Sequence, residues 1–293
     1  MERPLVVGVD GSEGSLRAVD WAVDEALRLG LPLRLVYGSL WERYEGSLPS
    51  LGDDQSAEGA AAEGIVASCV ARARQRGGTG GVQVSGDVLP DDAVSVLLHV
   101  AHTSTALVTG SRGRGGVAGL LLGSVSLAVA ARAACPVIVV RGEERNRQGA
   151  CDRVVVGVGG GAQSTAAIRY ALREARARDC ALFAVRAWRR PAHKHMDSPL
   201  AVDDSAIAQE DRASAVLTDA LRDAAREYSQ VDVVRRVREG PAHKVLLDMA
   251  TDADLVVVGA VRREGHLGLQ LGRVAHVLLH HARCPVAVIP ERV

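Results

Sequence analysis

Val6-Val7-Gly8-Val9-Asp10-Gly11-Ser12, near the start of the chain, returns 149 residues later as Val155-Val156-Gly157-Val158-Gly159-Gly160-Gly161. The same spacing carries Gly110 to Gly259, Gly123 to Gly272, and Cys135-Pro136-Val137 to Cys284-Pro285-Val286. A constant offset between landmarks so far apart means two copies of one fold with almost no insertion between them. The 293 residues agree, since about 150 residues make a domain. The division expected is domain 1 over residues 1–141, a polar linker over 142–150 and domain 2 over 151–293.

Within the first copy, Leu5 to Val9 is a short apolar run ended by Asp10-Gly11, the pattern of a strand buried on both faces. Leu16, Val19, Val23, Ala26 and Leu27 then fall on one helical stripe, which Gly30 and Pro32 close. Further strands are expected at 33–37, 82–88, 106–109 and 137–140, with helices ending near Arg76, capped by Asp91 or Asp92, and running from Ser124 to Ala133. Strand and helix alternate throughout. Parallel neighbours need crossover helices, so each copy reads as an α/β domain with a doubly wound, five-stranded parallel sheet.

Composition removes several functions. Lys and Arg number 35 against 35 Asp and Glu, and only 3% of residues are aromatic. A nucleic-acid binder relies on unpaired cations facing phosphates or on rings that stack bases, so no nucleic-acid partner is expected. No apolar run approaches the roughly 18 residues of a membrane span, and the start MERPLVVGVDGS lacks a long apolar leader core. A cytoplasmic protein without a membrane partner is expected. Five cysteines (Cys69, Cys135, Cys151, Cys180 and Cys284) show no Cys-x-x-Cys spacing and read as reduced thiols.

In open α/β sheets ligands sit beyond the carboxyl ends of the strands. Asp10-Gly11-Ser12 follows the first strand, and Gly110-Ser111-Arg112-Gly113-Arg114-Gly115-Gly116 follows the fourth and leads to Gly123-Ser124 at a helix start. Glycines let backbone amides converge on an anion, and the helix adds the positive end of its dipole. No Lys-Ser or Lys-Thr pair follows the last glycine, so this is not a Walker A loop. Positive charge would come from Arg112, Arg114 or a Mg²⁺ ion.

The pattern Gly110-x2-Gly113-x9-Gly123-Ser124 resembles the ATP-binding motif of the universal stress protein family. Val7 to Ser12, Ser111-Arg112-Gly113 and Cys135 to Val140 are also similar to that family, in the same order along the chain. The resemblance implies an adenine nucleotide alpha hydrolase-like fold and ATP in domain 1. Asp10, with Gly11 and Ser12 beside it, would lie at the ribose and any metal-bound phosphate. Gly110, Arg112 and Gly113 would wrap the ribose and phosphates, and Gly123, Ser124 and Val125 would donate to the phosphates. Gly38 would meet adenine through its backbone. The family further implies pairing through the terminal strands 137–140 and 286–289, which here would join the two copies as a pseudo-dimer. A homodimer of such chains is compatible with it.

The second copy keeps the skeleton and changes the chemistry. Gly159 stands for Asp10, Arg262 for Gly113 and Arg273 for Ser124. Domain 2 is therefore expected to be degenerate, with Arg262, Arg263 and Arg273 filling its cleft or holding a simple anion. Gly157 to Ala162 imitates a dinucleotide fingerprint, but the next strand ends in Arg186 where an acid is required. His276 and His280 share a helical face without further ligands. No Gly-x-Ser-x-Gly elbow or acid–base set is present, so at most weak ATPase activity is expected. The reading is a nucleotide-dependent stress-response switch in which occupancy orders the Gly110 to Gly123 loop. The alternatives are a nucleotide-free scaffold and a slow ATP hydrolase or nucleotidyl-transfer enzyme of the same superfamily.

Overall fold

The computed structural model describes residues 2–40, 54–78, 81–113, 122–160, 164–190, 199–261 and 271–291. Short apolar runs such as Leu5 to Val7 and Val137 to Val140 become strands, the strands over 84–89 and 233–239 include polar residues as well, and runs with apolar residues every three or four positions become helices. In chain order these are β1 (Leu5–Gly8), α1 (Glu13–Leu29), β2 (Leu33–Gly38), α2 (Asp54–Gly77), β3 (Val84–Leu89), α3 (Ala93–Val100), β4 (Ala106–Gly110), α4 (Ser124–Arg132) and β5 (Val137–Val140). After a one-turn helix α5 (Glu144–Arg147), the pattern repeats as β6 (Arg153–Gly157), α6 (Thr165–Arg178), β7 (Ala181–Trp188), α7 (Pro199–Glu227), β8 (Val233–Glu239), α8 (Ala242–Met249), β9 (Leu255–Val261), α9 (Arg273–His281) and β10 (Val286–Glu291).

These elements form two compact units, one ending at Arg141 and the other beginning at Gly142. In the first the strand order is β3-β2-β1-β4-β5, all parallel. Val7 stands beside Leu35 on one flank and Val108 on the other. In the second the order is β10-β9-β6-β7-β8, again parallel. Both are doubly wound α/β sheets whose strand order reverses at the first strand of the unit. That reversal opens a crevice between β1 and β4, and another between β6 and β9.

Local chemistry sets the helix ends. The Ser15 amide donates to the Ser12 hydroxyl at the start of α1, and Gly30, at φ 66°, ends it with a bond from its amide to Ala26. Ala18, Val19, Ala22 and Val23 seal the inner face of α1 against the sheet with no exposure. The Arg72 guanidinium grips both Asp20 oxygens at 2.6 Å, and Arg76 does the same to Asp24 one turn on, which fixes α2 beside α1. Of the two candidate caps for α3, Asp92 accepts from the Val94 and Ser95 amides. The polar stretch 142–150 packs onto the second unit. Asn146 is fully buried there and donates to the Thr251 and Ala253 carbonyls at 3.0 and 2.7 Å. Among the described residues no helix is long and apolar enough to cross a membrane, and none of the five cysteines is in a disulfide.

Glu291, at the end of β10, is 5% exposed and accepts from the Ala167 amide in the first turn of α6. Burial pushes its carboxyl up to about 7 from the usual 4.5, with the Ala167 bond opposing the rise. A raised carboxyl stabilises the fold fully below its unfolded value and loses that contribution as pH climbs through about 7. Gln keeps the acceptor and cannot ionise. Glu291→Gln is therefore expected to match the wild type in thermal melting at about pH 4 and to exceed it by about 1–3 kcal/mol at about pH 8.

Candidate functional site

The crevice between β1 and β4 holds a cavity of about 400 Å³. Its floor depends on one close approach: a Cβ on Gly110 would sit 2.5 Å from the Gly14 backbone, and one on Gly14 would sit 2.3 Å from the Arg112 carbonyl. Backbone therefore meets backbone where α1 begins and β4 ends. The Ser126 hydroxyl donates to the Gly110 carbonyl at 2.6 Å and binds the start of α4 to the same point. At the opposite wall, a Cβ on Gly38 would strike the Ala93 backbone at 2.7 Å.

Of the residues singled out from sequence, Asp10, Gly38, Gly110, Arg112, Gly113, Gly123, Ser124 and Val125 line this cavity. Gly11 and Ser12 stand behind it. The Ser12 amide donates to Asp10 Oδ1 at 2.9 Å, so the turn holds one carboxylate oxygen in place. The other, Oδ2, faces Gly113 so closely that a Cβ there would lie 2.5 Å from it. The Gly123 amide, expected to face a phosphate, donates instead to the Ser111 carbonyl at 2.8 Å and closes the loop on itself. No side chain caps α4, which leaves the first-turn amides of Ser124, Val125 and Ser126 pointing outward from the helix start. Arg114 lies outside the described residues.

Sequence reasoning missed Ser15, Thr109 and the apolar wall of Val36, Tyr37, Ala93 and Leu97. Thr109 is 3% exposed, and its hydroxyl has no hydrogen-bond partner. Its position just before Gly110 at the end of β4 was the available signal. A buried hydroxyl without a partner costs free energy until something enters to meet it. Among the described lining residues Asp10, Tyr37 and Arg112 are the titratable ones.

The crevice between β6 and β9 holds a second cavity, about 340 Å³. Its walls repeat the first position for position: Gly157 for Gly8, Val158 for Val9, Ser164 for Ser15, Val185 for Val36, Ala242 for Ala93 and Leu246 for Leu97. The polar groups differ. Gly159 stands for Asp10, Val258 for Thr109 and Arg186 for Tyr37. Arg273 is exposed at the start of α9, while Arg262, Arg263, His193, His195 and His266 lie outside the described residues. The rings of His276 and His280 are 4.5 Å apart, and the described residues contain no cluster of three or more metal-binding side chains.

The family model of the universal stress proteins matches this chain twice, over residues 1–141 and 151–290. A universal stress protein of Mycobacterium tuberculosis is 34% identical over 97% of this chain and 96% of its own length. One of Mycolicibacterium smegmatis is 29% identical over 99% and 98%. Among solved structures, a universal stress protein from Archaeoglobus fulgidus covers 99% of both chains with a TM-score of 0.67 at 17% identity, a likeness of fold.

The Thr109 hydroxyl gives a direct test of the cavity. Thr109→Val removes a desolvated, unpartnered group and introduces the residue already present at position 258. Protein carrying it, without added ligand, is expected to melt about 2–4 °C higher by calorimetry, corresponding to roughly 1 kcal/mol.

Proposed function

The chain belongs to the universal stress protein family, and we propose that its first unit binds ATP and works as a nucleotide-dependent switch in the stress response. The observation that carries this reading is the β1–β4 cavity, where a carboxylate oxygen, a partnerless buried hydroxyl and the amides of a helix start converge on one space. Its volume falls within the range of about 300–1,000 Å³ usual for small-molecule sites.

The nucleotide fits the donors available. Val36, Ala93 and Leu97 offer an apolar slot for adenine beside the Gly38 backbone, with Tyr37 at its edge. Asp10 Oδ2 and Thr109 suit ribose hydroxyls. The amides of Ser124, Val125 and Ser126 suit phosphate oxygens, and Arg112 adds positive charge at the rim. Asp10 is the one carboxylate among the described lining residues. A Mg²⁺ ion would therefore rest on it and on the phosphates, the usual arrangement for that ion. The bound nucleotide supplies negative charge at the start of α4, and the surface around the cavity then differs between the filled and empty states. Partners that read this difference make the switch.

Domain 1 over 1–141 and domain 2 over 151–293, joined by 142–150, pair through strands 137–140 and 286–289, each the last strand in its unit's sheet. Such a chain carries out its role in the cytoplasm. Domain 2 lacks the counterparts of Asp10, Thr109 and Ser124 and does not take ATP in the same manner.

Denaturing the purified protein and identifying released nucleotide by mass spectrometry tests the reading, together with a calorimetric titration of ATP. One adenine nucleotide per chain is expected. Gly123→Arg combined with Ser124→Arg places side chains across the helix start and is expected to weaken ATP at least 100-fold while the protein still melts cooperatively. Two nucleotides per chain, or none under any condition, would overturn it.

A further inference from the structure

The second cavity is not a worn copy of the first. It has lost the carboxylate of Asp10 and the hydroxyl of Thr109, whose places Gly159 and Val258 occupy. What remains among the described lining residues is a mostly apolar chamber walled by Val158, Val185, Leu246, Val258 and Val274, with one cation, Arg186, set into it from near the end of β7. The Arg186 Nη1 donates to the Val158 carbonyl at 3.2 Å, which fixes the guanidinium plane. Its Nε is buried without a hydrogen-bond partner. Gly160 leaves the approach clear, since a Cβ there would lie 3.8 Å from Nη2.

With Nη1 engaged and Nε enclosed, Nη2 beside Gly160 is the donor left to a ligand. A guanidinium facing mostly apolar walls suits a carboxylate carried on an apolar body, which brings one charge and little else that needs water. Inorganic phosphate suits the site poorly, because the described lining offers one cation and otherwise mostly apolar surface to a strongly hydrated anion. The cavity of about 340 Å³ corresponds to roughly eleven water-sized volumes of about 30 Å³ each, enough for a small ring or a short chain behind the head group.

We infer that the β6–β9 cleft is a binding site for a small organic carboxylate with an apolar body, anchored by Arg186. The second unit thus senses a different class of metabolite from the first. This site involves none of the residues assigned to the nucleotide and stands or falls independently of it.

The probes are phenylacetate, benzoate and hexanoate, titrated by calorimetry into the full-length protein, with phenylacetamide and inorganic phosphate as comparisons. At least one of the three carboxylates is expected to bind one per chain, with phenylacetamide at least 10-fold weaker than phenylacetate and phosphate unable to displace it. Arg186→Met retains length and apolar packing and is expected to weaken the carboxylate at least 10-fold while leaving ATP titrations unchanged. Ala242→Leu fills the chamber while retaining Arg186 and is expected to abolish carboxylate binding, so it decides the matter should Arg186→Met fail to melt cooperatively. No saturable binding by any carboxylate, equal affinity for the amide, displacement by phosphate, or unchanged binding in the Ala242→Leu protein would each overturn the assignment.

Discussion

The contact between Gly14 and Gly110 is the constraint on which the first site rests. Two backbones touch where side chains would ordinarily hold them apart, and either Cβ would fall within about 2.5 Å of main-chain atoms that cannot move aside. That approach brings the first turn of α1 down on the end of β4 and carries Ser15 to the wall of the cavity. The Ser12 hydroxyl reaches the Arg112 carbonyl at 3.4 Å, and Ser126 reaches Gly110 at 2.6 Å, so three chain segments are tied together at one corner. Glycines that look from the sequence like ligand contacts therefore divide into two kinds. Gly110 and Gly38 are small because protein packs against them, while nothing lies nearer than 3.7 Å to a Cβ placed on Gly123.

The two crevices show how little of a binding site its walls determine. A strand order that reverses at β1 and again at β6 builds the same trough in both units, lined by residues in register with each other. Chemistry then depends on a few substitutions. Thr109 leaves an unmet hydroxyl in one trough, and Val258 leaves plain hydrocarbon in the other. Tyr37 closes one with a ring, whereas Arg186 sets a cation into the other. Thr109 Oγ1 and Arg186 Nε, one from the lining of each trough, are both buried without a hydrogen-bond partner.

The α/β alternation, the repeat and the end of most elements could be read directly, because they follow from local rules: apolar period, Ser or Asp at a helix start, Gly at its end. Strand β5 and the start of α4 fell on the expected residues, and Asp92 rather than Asp91 proved the cap because its oxygen reaches the amides two and three residues on. Most of the expected site residues came together because motifs at strand ends are gathered by the topology of the sheet. The stretch 142–150 was harder to read. Its composition is that of a linker, yet Asn146 is buried because two carbonyls of the second unit need its amide.

What the sequence determined alone was everything set by neighbours along the chain: the duplication, the class of fold, and the place of the glycine motif after β4. Tertiary structure decided which atoms were already spoken for. The Gly123 amide is taken by Ser111, and Asp10 Oδ1 by Ser12, while the Thr109 hydroxyl and the Arg186 Nε are left without partners. A side chain's identity shows what it can bond to, but only its surroundings in three dimensions determine whether that bond has already been made. The character of both crevices rests on that difference.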